Sequence, residues 1–229
     1  MKRAVIAGCI VGLLLGAVFC TRAQDNGAAG ERLPAPRTKG RTSLEEALSQ
    51  RRSMRSYTTD RLSLEDVSQL LWAAQGITSK DVRRTAPSAG GLYPMEIYMA
   101  VGRNTVGELG QGVYHYNPKA HALRKVKDVD LREDIGVAAV GQGWIARAPA
   151  VFVVTGVVGR TARKYGPRAQ RYVFMEAGHV AQNVLLQATV LDLGGTPVGA
   201  FHDTDLRKVI GLGSEYLPCY VIPIGKPQR

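Results

Sequence analysis

Arg51-Arg52-Ser53-Met54-Arg55 places three guanidinium groups and a hydroxyl within five residues, directly after a short amphipathic stretch. The preceding Ser43-Leu44-Glu45-Glu46 has the form of a capping box, with Ser43 as N-cap and Glu46 at N3, so a helix is expected to open there. Arginine offers planar, paired donors, and each charge-assisted hydrogen bond to an anion is worth roughly 1.5–3 kcal/mol. The cluster therefore suits a ligand that carries a phosphate and a second, delocalised negative charge. A solvated basic helix end, complementing the helix dipole, is the plain alternative.

The chain has 229 residues, enough for one domain with a full core. A hydrophobic fraction of 45% against 21% charged residues excludes a disordered protein. Lys2-Arg3, the apolar run from Ala4 to Phe19 and the small residues around Ala23 predict a secretory signal peptide over 1–23. Mature protein would then start near Gln24 and be exported, to the periplasm or beyond. An uncleaved anchor is the alternative, although the run is short for a spanning helix; lipidation at Cys20 is another. Residues 24–42, rich in Gly, Pro and charge, read as a disordered or loosely draped linker, leaving 43–229 as the folded domain.

Loss of Lys2, Arg3 and Arg22 with the signal would lower the formal charge from +11 to +8. That excess suits a phosphate-bearing ligand, and the chain carries no nucleic-acid-binding motif. Cys219 is the one cysteine outside the signal region, and its apolar neighbours mark it as a buried structural thiol. The four histidines are too scattered to propose a metal site.

Ser63 opens a second helix with Leu64, Val67, Leu70, Leu71 and Ala74 at helical spacing, ending by Gly76. Strands are expected at 96–101 and 219–224, and a hairpin from 113–116 and 123–126. A short helix is expected at 131–140. The continuous apolar run Ala150-Val151-Phe152-Val153-Val154-Thr155 predicts a central strand. The longest helix is expected over 168–193, with Met175, Gly178, Ala181, Gln182, Leu185, Ala188 and Thr189 on one stripe and Gly194-Gly195 at its C-cap. Asp203 or Thr204 caps a last helix. These elements make an α+β domain, an antiparallel sheet packed by helices.

Four segments in order carry a family resemblance: Arg51-Arg52-Ser53-Met54-Arg55, Pro87-Ser88-Ala89-Gly90-Gly91-Leu92-Tyr93-Pro94, Lys164-Tyr165-Gly166 and Glu176-Ala177-Gly178-His179-Val180-Ala181-Gln182-Asn183. Together they resemble the FMN-dependent nitroreductase family, more narrowly its SagB/ThcOx-type dehydrogenase branch, whose members oxidise azoline rings in peptides. The resemblance runs from about Ser43 to Lys226. It implies a nitroreductase-like fold and a homodimer with flavin at the interface, each subunit supplying residues to both sites. With the chain ending at Arg229, soon after the last strand, no strand exchange between subunits is expected.

By the same resemblance, Arg51, Arg52 and Ser53 would hold the FMN phosphate and ribityl end, and Arg55 would face the pyrimidine edge. Pro87, Ser88, Ala89, Gly90 and Gly91 would lay backbone against the ring, glycine allowing close approach; an ordinary glycine turn is the alternative. Gly199 and Ala200 would donate amides near N5 and O4, although several relatives carry an acidic side chain at the position of Gly199. Lys226 would contact phosphate, or be a solvated lysine. Lys164 and Tyr165 match a catalytic pair of the azoline-oxidising relatives, Lys164 as base and Tyr165 orienting or relaying the proton; an exposed turn is the alternative. His179 and Asn183 share a helix face with Glu176 and are expected to make polar contacts near the flavin or the dimer seam. The implied activity is an exported FMN-dependent oxidoreductase, moving hydride between flavin N5 and a small-molecule or peptide-derived substrate. The rival readings are an NAD(P)H-dependent nitro or quinone reductase and a non-catalytic, ligand-binding relative.

Overall fold

A computed structural model describes residues 30–228. The signal-peptide expectation over 1–23, with Cys9 and Cys20, and the first part of the linker lie outside the described residues. Seven strands form one antiparallel sheet: β1 (Glu31–Arg32), β2 (Met95–Val101), β3 (Gly112–Asn117), β4 (Ala122–Lys127), β5 (Ala150–Val157), β6 (Gly194–Gly195) and β7 (Tyr216–Gly225). Their order across the sheet is β1-β4-β3-β2-β5-β7-β6. The helices are α1 (Leu44–Gln50), α2 (Leu64–Gln75), α3 (Arg132–Ala138), α4 (Val158–Tyr165), α5 (Ala169–Val190) and α6 (Asp203–Ile210).

The apolar run of β5 is explained by its position. It lies between β2 and β7, with Met99 opposite Phe152 and Val221 opposite Val153. Alternate residues feed two separate cores. Ala150, Phe152 and Val154 join α2 and α5 on one face, while Val151 and Val153 join α3 and α6 on the other. Helix starts follow their caps: Ser43 with Glu46, and Ser63 with Asp66, both form reciprocal capping boxes.

Four features differ from the sequence expectations. The stretch 30–42, expected to drape loosely, is fastened: β1 pairs with β4, Leu33 is buried, and Arg37 exchanges backbone hydrogen bonds with the Gln69 side chain. His121 lies at the centre of this fastening, its ring bonded to Ser68, Tyr116 and the Pro34 carbonyl. On α5 the buried stripe is Val173, Ala177, Val180, Ala181, Val184, Leu185 and Ala188, whereas Met175 is 49% exposed. The helix is apolar on more than one side, so periodicity alone set its phase wrongly. Its C-cap is Leu191, and Asp192 takes the left-handed conformation expected of the glycines. Helix α6 starts after His202, with Asp203 inside its first turn rather than capping it.

Gly194-Gly195 instead forms the edge strand β6, and its glycines exist for close packing. A Cβ on Gly195 would sit 2.5 Å from Ile224 Cδ1 and 2.7 Å from the Pro223 carbonyl oxygen, whereas one on Gly199 would meet nothing within 4 Å. Gly195→Val is therefore expected to cost about 2–3 kcal/mol of unfolding free energy, and Gly199→Ala about 0.5 kcal/mol or less. Denaturant titration of the two variants checks this contrast.

Candidate active site

The arginine segment gains its shape from the sheet edge. Arg51 ends α1, and the chain then runs extended beside β6, with the Met54 amide bonded to the Gly195 carbonyl at 3.1 Å. The Met54 carbonyl accepts from both Thr196 Oγ1 and the Tyr57 hydroxyl, each at 2.7 Å. Beyond it, the Thr58 amide bonds the Lys226 carbonyl. This backbone clamp brings Arg51, Ser53, Arg55 and Lys226 to one edge of the molecule. Arg55 lies over the Trp144 ring, 5.7 Å from its centroid, and the Ala200 carbonyl accepts from Gln142 two residues before Trp144. Gly199 and Ala200 thus share the neighbourhood.

The cations in this group are not equivalent. Among the described residues Arg51 and Arg55 form no ion pair. Arg52 bends back onto the Ser49 and Arg51 carbonyls, satisfying the C-terminal end of α1. Its guanidinium is thus engaged with the end of α1, unlike those of Arg51 and Arg55. Lys226 pairs with Asp60 at 3.3 Å, both side chains more than half exposed. Exposed pairs of this kind are weak, so the lysine is exchangeable rather than fixed.

A second group forms around the 87–91 loop. Gly90 and Gly91 both adopt left-handed backbone, with φ 63° and 64°. A Cβ on Gly90 would meet the Tyr165 hydroxyl at 2.9 Å and Lys164 Nζ at 3.2 Å, while Gly91 faces open space. Lys164 and Tyr165, at the end of α4, are therefore held against the loop. Ser88 accepts a hydrogen bond from the Tyr93 amide at 2.9 Å, closing the turn.

Beneath this loop lies a charged layer that sequence reasoning did not single out. Glu96 is bonded to His115 at 2.6 Å and to Arg160, and the Arg160 side chain also reaches the Tyr93 carbonyl. Burial raises the Glu96 carboxyl, but His115 and Arg160 outweigh it and hold it below its ordinary range. Arg84 lies over the Tyr93 ring at 4.6 Å and donates to Gln75. Glu176, on the buried face of α5, is only 2% exposed, and its Oε1 has no hydrogen-bond partner. Burial pushes it from 4.5 up to about 7, against the opposing pull of the Ser88 hydroxyl and Arg84. The correct phase of α5, with Glu176 between Val173, Ala177 and Val180, is the signal that would have found it. Asn183 does not share this site: it bonds the Ala73 and Thr85 carbonyls and ties α5 to α2, while His179 is exposed.

The two groups do not meet within one chain. Ser88 lies by Glu176 near the start of α5, whereas Met54 lies by Gly195, beyond its end. At 1.5 Å per residue, α5 separates them by on the order of 20 Å.

Comparison with known proteins identifies the family of this fold. The Nitroreductase family matches residues 48–226. A candidate nitroreductase of Methanocaldococcus jannaschii is 44% identical over 183 residues, covering 80% of this chain and 90% of that protein. The microcin B17-processing protein McbC of Escherichia coli is 29% identical over 159 residues, 67% of this chain and 58% of McbC. Among solved structures, a candidate nitroreductase from Ralstonia eutropha superposes with a TM-score of 0.76 at 28% identity, covering 87% of this chain and 90% of that one. The chain belongs to the nitroreductase family. It is an oxidoreductase, in a family that generally uses flavin cofactors, and McbC carries the narrower likeness to the SagB-type branch.

The buried Glu176 carboxyl has a measurable consequence. The folded state binds its proton more tightly than the unfolded chain, so this contribution to stability is full below about pH 4.5 and lost as pH rises through about 7. Glu176→Gln, which keeps the shape and removes the titration, is expected to gain up to about 3 kcal/mol on the wild type between pH 5 and 8. Thermal unfolding across that range checks both sign and window.

Proposed function

We propose that the chain is an FMN-dependent oxidoreductase that works as a homodimer, with one copy's arginine edge and the other copy's 87–91 loop forming each flavin site. The observation that carries this reading is the separation of the two groups along α5. Each is open and incomplete alone, and a two-fold pair would bring unlike halves together. The residues fit the cofactor: Arg51 and Arg55, which form no ion pair among the described residues, offer guanidinium groups for the phosphate and the pyrimidine edge, with Ser53 and Lys226 as further donors. Gly91 and Gly199 leave open space where a flat ring needs backbone approach. Arg52 fits least, being occupied by α1.

FMN supplies hydride exchange at N5 when bound. The chain's own part is to orient the substrate and handle its proton. Lys164 Nζ takes up the proton released from substrate carbon, and the Tyr165 hydroxyl orients the reacting group. Gly90 is required between them, since any side chain there would displace both. Among directions, substrate oxidation in the manner of the SagB-type branch is the first reading, supported by the likeness to McbC and by the apolar N-terminus that predicts export, away from cytoplasmic nicotinamide nucleotides. The candidate nitroreductases among the relatives favour a second reading, in which NAD(P)H reduces the cofactor and a nitro or quinone compound reoxidises it.

Purified protein given FMN is expected to become yellow and to elute as a dimer. Arg51→Ala and Arg55→Ala should each weaken FMN binding by about tenfold or more, with Arg52→Ala milder. A fluorescence titration showing equal affinity for all three variants and the wild type would sink the clamp. Anaerobic addition of NADPH separates the two directions: bleaching of the flavin absorbance supports the reductase, and its persistence supports the dehydrogenase.

A further inference from the structure

The segment from Val158 to Met175 contains Arg160, Arg163, Lys164, Arg168 and Arg171, and no aspartate or glutamate. It forms α4 and the start of α5, the corner that holds Lys164 and Tyr165 against Gly90. Arg160 is neutralised by Glu96. Arg163, Lys164, Arg168 and Arg171 are exposed and, among the described residues, form no ion pair. The two carboxylates beneath the 87–91 loop are committed or inaccessible: Glu96 pairs with His115 and Arg160, and Glu176 lies on the buried side of α5.

The same corner carries a half-exposed aromatic floor. Tyr165 and Tyr172 meet edge to face with centroids 4.9 Å apart. Lys164 Nζ lies 5.6 Å from the Tyr165 centroid, and Arg168 lies 5.9 Å from that of Tyr172 while its Nε donates to the Tyr172 hydroxyl. These contacts hold two cations in place beside a flat apolar surface, at the position where the substrate would reach Lys164. Unpaired like charges gathered on one short segment repel one another and disfavour the bare surface, and a bound anion relieves that repulsion.

We infer that the rim formed by Arg163, Arg168 and Arg171 selects a substrate that combines a planar ring with an anionic group, a carboxylate, sulfonate or phosphate. This rests on the reading of Lys164 and Tyr165 as facing the substrate. It adds the substrate's charge class, which that reading leaves open.

Redox-inert probes test the rim apart from turnover. Full-length protein, with added FMN, is titrated calorimetrically at low salt with naphthalenesulfonate and with the uncharged naphthalenesulfonamide. The expected preference for the anion is about tenfold, shrinking at high salt. In the double variant Arg163→Gln/Arg168→Gln it should fall to about twofold. Arg207→Gln/Lys208→Gln on α6, which removes the same charge across the sheet, should keep it. No preference in the wild type, or equal loss in both double variants, overturns the inference. Displacement of naphthalenesulfonate by phospho-ADP-ribose, the nicotinamide-free part of NADPH, assigns the anion to a nucleotide phosphate; lack of displacement assigns it to an organic acid. Both support the rim. The flavin absorbance is read in the same samples, so a protein that binds the anion but no FMN refutes the proposed function and leaves the rim standing.

Discussion

The separation imposed by α5 governs how any site on this domain can be built. The helix is packed along nearly its whole length, against α2 on one side and the sheet beneath, so its ends are fixed relative to each other. Interiors packed to crystal density do not shorten to bring two surface groups together. The arginine edge and the 87–91 loop, against which α4 holds Lys164 and Tyr165, therefore stay apart in every state that keeps the core. In the proposed homodimer a ligand touching both would be shared between the chains, and a two-fold arrangement would close on itself with two equivalent sites.

Local stiffness at each end then matters more than proximity within the chain. The arginine edge is held by backbone pairing to β6 and by two donors on the single Met54 carbonyl, so the guanidinium groups project from a fixed strand. The loop end is held differently. Gly90 and Gly91 sit in left-handed backbone, Ser88 closes the turn, and Lys164 and Tyr165 press on Gly90 with no room for a Cβ. A site assembled from two such preformed edges loses less conformational freedom on binding than one assembled from free loops.

The sequence disclosed the parts of this design that depend on local rules. Both capping boxes, the β3–β4 hairpin and the doubly buried β5 follow from periodicity and cap chemistry alone. The family resemblance placed Lys164, Tyr165 and the 87–91 loop in one site, but only coordinates show Gly90 between them, because that contact joins distant segments. Two differences have definite causes, and spacing likewise does not reveal that the Arg52 guanidinium meets the carbonyls of α1. Gly194-Gly195 reads as a helix stop because a glycine pair needed for close packing looks the same in sequence as one needed for positive φ. The phase of α5 is misleading in sequence because Phe174 and Met175 are apolar yet exposed, and that phase hides the burial of Glu176.

Glu176 shows how the domain tolerates unfavourable electrostatics where the chemistry is proposed to occur. A carboxyl buried among Val173, Ala177 and Val180 would be expected to recruit a cation, and the neighbouring segments are rich in arginine. Yet Arg84, whose charge acts on it, is itself half-buried, lies over Tyr93 and is bonded to Gln75, so its pull lowers the carboxyl less than burial raises it. Desolvation of both partners outweighs their attraction, as is common for ions taken out of water. The exposed arginines of α4 and α5 are better solvated but screened and turned outward. The domain thus keeps its positive charge at the rim, where an incoming anion meets it, and a protonatable acid beneath the loop. Natural folds retain such locally unfavourable groups chiefly at functional positions, because elsewhere an apolar residue of the same size would be more stable.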